Sequence, residues 1–95
     1  MSRAARTRLS AEELADQLPD GWSGDTSSVT LEFQFPSYQA GVAFAVRVAT
    51  QAEASDHHPD LLIGYRRVQV RYSTHDAGGV TALDLREASA VNGLF

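Results

Sequence analysis

Across Pro36-Ser37 the apolar residues change from every second position to a helical repeat, and that switch limits the possible folds more than any other feature. Before it, Val29, Leu31, Phe33 and Phe35 alternate with Thr30, Glu32 and Gln34. Successive strand side chains point to opposite faces, so residues 28–35 predict a strand buried on one side. After it, Phe44, Ala45, Val48 and Ala52 form one row at helical spacing, widened by Val42, Val46 and Ala49. Gln39, Arg47, Thr50 and Gln51 lie toward the other side of this helix. Ser37 is placed to cap it, and it should end near Ala54. A half-buried strand and a broad apolar helix face each need cover. The simplest solution is an α+β fold in two layers, one sheet with helices packed on one face. The helical stripe is wide enough to leave an apolar edge for a partner subunit.

The remaining elements fit around this pair. Ser10-Ala11-Glu12-Glu13 reads as a capping box, with Leu9 and Leu14 at the two staple positions. A short helix should run to about Leu18 and stop at Pro19-Asp20-Gly21. Trp22, the one tryptophan, follows this turn. Leu61, Ile63 and Tyr65 alternate, as do Val68, Val70 and Tyr72, so a turn near Tyr65-Arg66-Arg67 predicts a hairpin. Thr81-Ala82-Leu83-Asp84 resembles a capping box with a shorter carboxylate. It should open a helix through about Val91, with Leu85, Ala88 and Val91 facing inward. The connections leave the strand order open.

At 95 residues one domain is expected across 1–95, with residues 1–9 flexible. So small a chain builds one modest core, and a site should sit at an edge, a cleft mouth or a subunit interface. The absence of cysteine excludes disulfides and thiolate chemistry. No apolar run approaches the roughly 18–20 residues of a membrane span. Arg3, Arg6 and Arg8 are followed by no apolar signal-peptide core, so a soluble cytoplasmic protein is expected. Twelve acidic residues against eight basic ones give a net charge of -4, which does not favour nucleic-acid binding. Arg66, Arg67 and Arg71 could hold a local anion or polar ligand, although a solvated strand surface is the simpler reading.

All three histidines fall in non-periodic boundary segments. His57 and His58 follow the long helix, and His75 follows the last clear strand. If that strand lies beside the start of the hairpin, both boundaries open onto one pocket. Adjacent side chains diverge, so His57 and His58 should do different work. Asp56, Asp76 and Asp84 could orient imidazoles or favour their charged form, but each could equally cap a helix or brace a turn. Three histidines and an aspartate offer donors for a metal. The adjacent pair is awkward around one ion, and no HExxH pattern is present, so no metal is expected. Gly78-Gly79 is weak as a phosphate loop.

Asp56-His57-His58-Pro59, then Tyr65 and Val68, then Ser73-Thr74-His75-Asp76-Ala77-Gly78, resemble the pterin-4a-carbinolamine dehydratase family. Thr81 and Asp84 fit the same pattern, and Trp22, Phe33, Phe35, Phe44 and Val48 extend it toward the N-terminus. The resemblance covers most of residues 10–91. It implies a four-stranded antiparallel sheet with helices on one face, assembled as a homodimer or homotetramer. It implies a hydro-lyase that removes water from 4a-hydroxytetrahydropterin, giving quinonoid dihydropterin without a metal or redox cofactor. By resemblance His57 and His75 are the acid/base pair and His58 binds and orients the pterin. Asp84 is a site carboxylate toward His75 or the ligand, and Asp56 is a supporting carboxylate. Trp22 and Leu61 could wall the pocket, Trp22 equally serving as a core or interface anchor. Leu61, Ile63 and Arg66 depart from the common pattern of an aromatic residue, an asparagine and a second asparagine. The alternative is a catalytically weak, dehydratase-like coactivator or assembly factor that binds a protein partner.

Overall fold

The computed structural model describes residues 6–95. In chain order the elements are α1 (Ala11–Gln17), β1 (Ser23–Gly24), β2 (Val29–Gln34), α2 (Tyr38–Ser55), β3 (Asp60–Gly64), β4 (Arg67–Tyr72) and α3 (Ala82–Leu94), with a 3-10 turn at His75–Ala77 before α3. The four strands form one antiparallel sheet in the order β1-β2-β4-β3. The expected α+β architecture is present, and the strand order left open by the connections is settled by β4 lying between β2 and β3. Of residues 1–9, expected to be flexible, residues 1–5 lie outside the described residues, and Leu9 donates its backbone N–H to the Val80 carbonyl at 2.9 Å.

Register puts the alternating residues on one face. Val29 pairs with Tyr72, Leu31 with Val70 and Phe33 with Val68. Leu61 and Ile63 continue the rows on the far side of β4. The helices cover this face, where Phe44, Ala45 and Val48 of α2 and Leu85, Ala88 and Val91 of α3 join the strand residues in one core. Thr30, Glu32, Gln34, Gln69 and Arg71 occupy the opposite, wetter face.

The caps sit where the sequence puts them. Ser10 Oγ accepts from the Glu13 amide at 3.1 Å, and Glu13 Oε1 accepts from the Ser10 amide at 2.9 Å. Ser37 Oγ accepts from the Ala40 amide at 3.1 Å. The turn between β3 and β4 is Tyr65-Arg66, with Arg66 at φ +61°. That left-handed backbone is unusual for arginine. It is braced on both sides, because the Phe35 N–H donates to the Arg66 carbonyl at 2.9 Å and Arg66 Nε donates to the Phe35 carbonyl at 3.3 Å. α3 continues past Val91 to Leu94, which brings the Phe95 ring to 5.0 Å from Phe33.

Candidate active site

The site begins where α2 ends. Asp56 takes a left-handed conformation as the C-cap, and the His57 N–H reaches back to the Ala52 carbonyl at 3.2 Å. This closing turn sends the next two side chains apart. His57 points inward and keeps only 9% exposure, while His58 is exposed. The second segment begins where β4 ends. Thr74 and Gly79 exchange backbone hydrogen bonds at 3.0 and 3.3 Å, closing a small loop that carries His75 on its 3-10 turn. Gly78 ends that turn at φ +75°, in the region that suits glycine. Gly79 lies so close to the Thr26 carbonyl that an added Cβ would stand 2.3 Å from it.

His57 Nε2 meets Asp84 Oδ1 at 2.5 Å. Asp84 has no solvent exposure. Its other oxygen accepts from Thr74 Oγ1 at 2.7 Å and from the Thr81 N–H at 2.9 Å. Thr74 Oγ1 and Thr81 Oγ1 are 2.8 Å apart. A buried carboxylate is tolerable only with such partners. As acceptor from Nε2, it leaves Nδ1 as the imidazole nitrogen open to proton exchange. Tyr72 lies parallel to the His57 ring, with centroids 5.8 Å apart and planes within 9°. Burial first, then the Glu87 and Asp84 charges, push the Tyr72 phenol well above the ordinary tyrosine range. It therefore stays a neutral phenol and is no base.

His58 and His75 line one cavity of about 280 Å³ together with Asp60, Arg71 and Ser73. The two histidine-bearing boundaries thus meet. His58 Nε2 stands 3.0 Å from Glu53 Oε2. Ser73 Oγ donates to the Ser27 carbonyl at 2.7 Å, and Arg71 Nη1 is 3.6 Å from Asp60 Oδ2. Among the described residues no group of three His, Asp or Glu side chains could hold a metal ion.

The model of the family described as "Pterin 4 alpha carbinolamine dehydratase" matches residues 7–94. The chain belongs to this dehydratase family. A relative from Natronomonas pharaonis carrying the same family name is 45% identical, over 82% of this chain and 85% of that protein. A solved transcriptional coactivator/pterin dehydratase from Brucella melitensis is 33% identical with a TM-score of 0.85, covering 93% of this chain and 98% of its own. A pterin dehydratase-like RuBisCO assembly factor of the alpha-carboxysome shares the fold, with a TM-score of 0.62 at 23% identity, over 77% of this chain and 84% of its own.

For several residues of this pterin-dehydratase chain the structure selects among the placements that the sequence left open. Asp84, expected toward His75 or the ligand, is bonded to His57, because the third position of α3 faces the core. Trp22, considered as a pocket wall, lies in the core at 5% exposure, its Nε1 donating to Asn92 Oδ1 at 2.9 Å. Leu61 is half-buried against the core and is not among the cavity-lining residues. Asp56 terminates α2 at the surface. Asp76 is exposed and pairs with Arg6 at 3.3 Å. Sequence reasoning missed Thr74 and Thr81 as partners of Asp84, and Asp60 and Ser73 as cavity residues. Thr81 was visible as a cap, and Arg71 as part of a basic group. Nothing in the alternation of β4 marks Tyr72 as a neighbour of His57.

Proposed function

We propose that the protein is a 4a-hydroxytetrahydropterin dehydratase using His57 and His75 for proton transfer and His58 to hold the substrate. The observation that carries this reading is the meeting of His58 and His75 from distant segments in one cavity; His57 is not among the residues lining it, but Asp84 joins His57 to Thr74, the residue before His75. In the reaction the bond from C4a to the hydroxyl oxygen breaks after that oxygen gains a proton, and water leaves. A proton departs from the ring-nitrogen side, and its electron pair forms the new double bond of quinonoid dihydropterin. One proton is given and one taken, so groups with a reference pKa of about 6.5 suit both tasks. Asp84 can stabilise positive charge on His57 as it accepts a proton at Nδ1, while exposed His75 can exchange protons with water. Residue roles follow from these environments together with the family pattern.

Stopped-flow measurement of quinonoid dihydropterin formation tests the assignment. His57→Ala and His75→Ala should each lower turnover about 100-fold or more, the usual scale of acid–base catalysis. His58→Ala should act mainly through KM. Unchanged turnover in both the His57 and His75 variants would defeat the assigned roles.

A second reading rests on surface rather than cavity. Val46 of α2 is 60% exposed and Leu62 of β3 is 54% exposed, apolar area suited to a second copy or to a protein partner. The Brucella relative's double name supports weighing a partner-binding role. A homodimer or homotetramer with strong dehydratase turnover would speak for the enzyme. A stable complex with another protein that survives histidine substitution would speak for the partner-binding role.

A further inference from the structure

One pair in the cavity has no part in the proton chemistry. Asp60 and Arg71 face each other directly across the β3–β4 ladder. Both point to the wetter face of the sheet, and both line the cavity with His58 and His75. Their positions are thus set by a strand rung rather than by a loop. Their separation of 3.6 Å is longer than the roughly 2.7–2.9 Å of a strong charge-assisted bond. The pair is therefore loosely joined, with acceptor positions on Asp60 and donor positions on Arg71 left for another group. Asp60 is also the one carboxylate among the lining residues. The similar pair on this face, Arg67 with Glu32 at 3.2 Å, lies outside the cavity.

We infer that Asp60 and Arg71 are specificity-determining residues that recognise the pyrimidinone edge of the pterin. Resting on the dehydratase reading for its ligand class, the inference follows from matching donors to acceptors. That edge presents the 2-amino group and N3–H as two adjacent donors, followed by the O4 acceptor. Two parallel N–H donors form the same fork that arginine offers a carboxylate, so Asp60 is their complement. Arg71, beside it, supplies the donor for O4. O4 lies on the carbon next to C4a, so this anchoring holds the reacting carbon within the cavity that His58 and His75 share. A ring carrying oxygen in place of the 2-amino group loses one donor and should bind more weakly.

Fluorescence titration with pterin and with lumazine, the 2-oxo counterpart, tests this in the intact protein. We expect about a tenfold preference for pterin, the scale of one hydrogen bond to a charged group. Asp60→Asn should erase the preference, and Arg71→Gln should weaken both ligands. Glu32→Gln, on the same sheet face outside the cavity, should change neither. Both target residues are exposed, so the variants should fold. In turnover, the Asp60 and Arg71 variants should raise KM far more than they lower kcat. Dehydratase turnover with an undiminished pterin preference in Asp60→Asn would overturn the inference and leave the enzyme reading standing. An Asp60-dependent preference without turnover would uphold the recognition pair and remove the enzyme reading. Neither turnover nor pterin binding in the unmodified protein would overturn both.

Discussion

The imidazole of His57 is nine-tenths covered and meets a fully buried carboxylate at 2.5 Å, whereas His58, the next residue, meets only the exposed Glu53 at 3.0 Å. His75 shares the exposed environment of His58 at the cavity. One helix C-cap creates this contrast. It turns one side chain toward α3 and the other toward β3 and β4. The buried side is preorganised, with Asp84 joining α2's end, the Thr74 loop and α3's start through three segments' worth of hydrogen bonds. The exposed side is bathed in water, where a charge pair gains little and a side chain adapts to what enters. The site thus combines a fixed imidazole with two adaptable ones, and the energetic weights of the two regions should differ accordingly.

Removing the buried acceptor should have the largest effect. Asp84→Ala leaves His57, Thr74 and the Thr81 N–H without their shared partner. Breaking a buried pair in this way costs about 3–5 kcal/mol, and urea denaturation should show a loss of that order. A loss below about 1 kcal/mol would mean that solvent reaches the network, and the contrast between the regions would collapse.

Alkaline pH probes the same buried region more gently. The Tyr72 phenol is raised in the fold by burial, then by Glu87 and Asp84. In the unfolded chain it ionises near pH 10, while in the folded protein it remains neutral. The stabilising contribution is therefore complete below about pH 10 and is lost progressively as pH rises toward the folded value, at up to about 1.4 kcal/mol per pH unit. Tyr72→Phe should flatten this alkaline decline, measured by denaturation at stepped pH. An identical alkaline slope in Tyr72→Phe would show that its ring is wetter than its position beside His57 implies.

Much of the scaffold behind this contrast was legible in the residues themselves. β2 and α2 carry uninterrupted periods, and local periodicity reports which side of an element is dry. The caps at Ser10, Ser37 and Thr81 were legible because a cap is a contact between near neighbours. The Tyr65-Arg66 turn was legible only as a position, since its brace comes from Phe35, distant in the chain. The candidate site was less readable for the same reason. Asp84 announces itself as a helix-capping carboxylate, and nothing local tells that its second oxygen meets His57. Trp22 could have faced a pocket or the core, and it is the indole bond to Asn92 that separates the two. Sequence adjacency showed that His57 and His58 must diverge, but only the packing of α3 decided which one is buried.

The smallest effect belongs to the exposed pair. Glu53→Gln removes the negative charge beside His58 while keeping an acceptor at the same distance from the backbone. Side-chain exposures of 55% for His58 and 78% for Glu53 leave the pair open to water and salt. Such pairs contribute about 0–1 kcal/mol, and this one should lie at the low end. Denaturation midpoints of Glu53→Gln and the unmodified protein should coincide within about 0.5 kcal/mol at moderate salt. If the variant instead approached the loss expected for Asp84→Ala, the His58 imidazole would be as firmly held as His57. Preorganisation would then extend to both sides of the α2 cap, and the division into a fixed and an adaptable region would have to be abandoned.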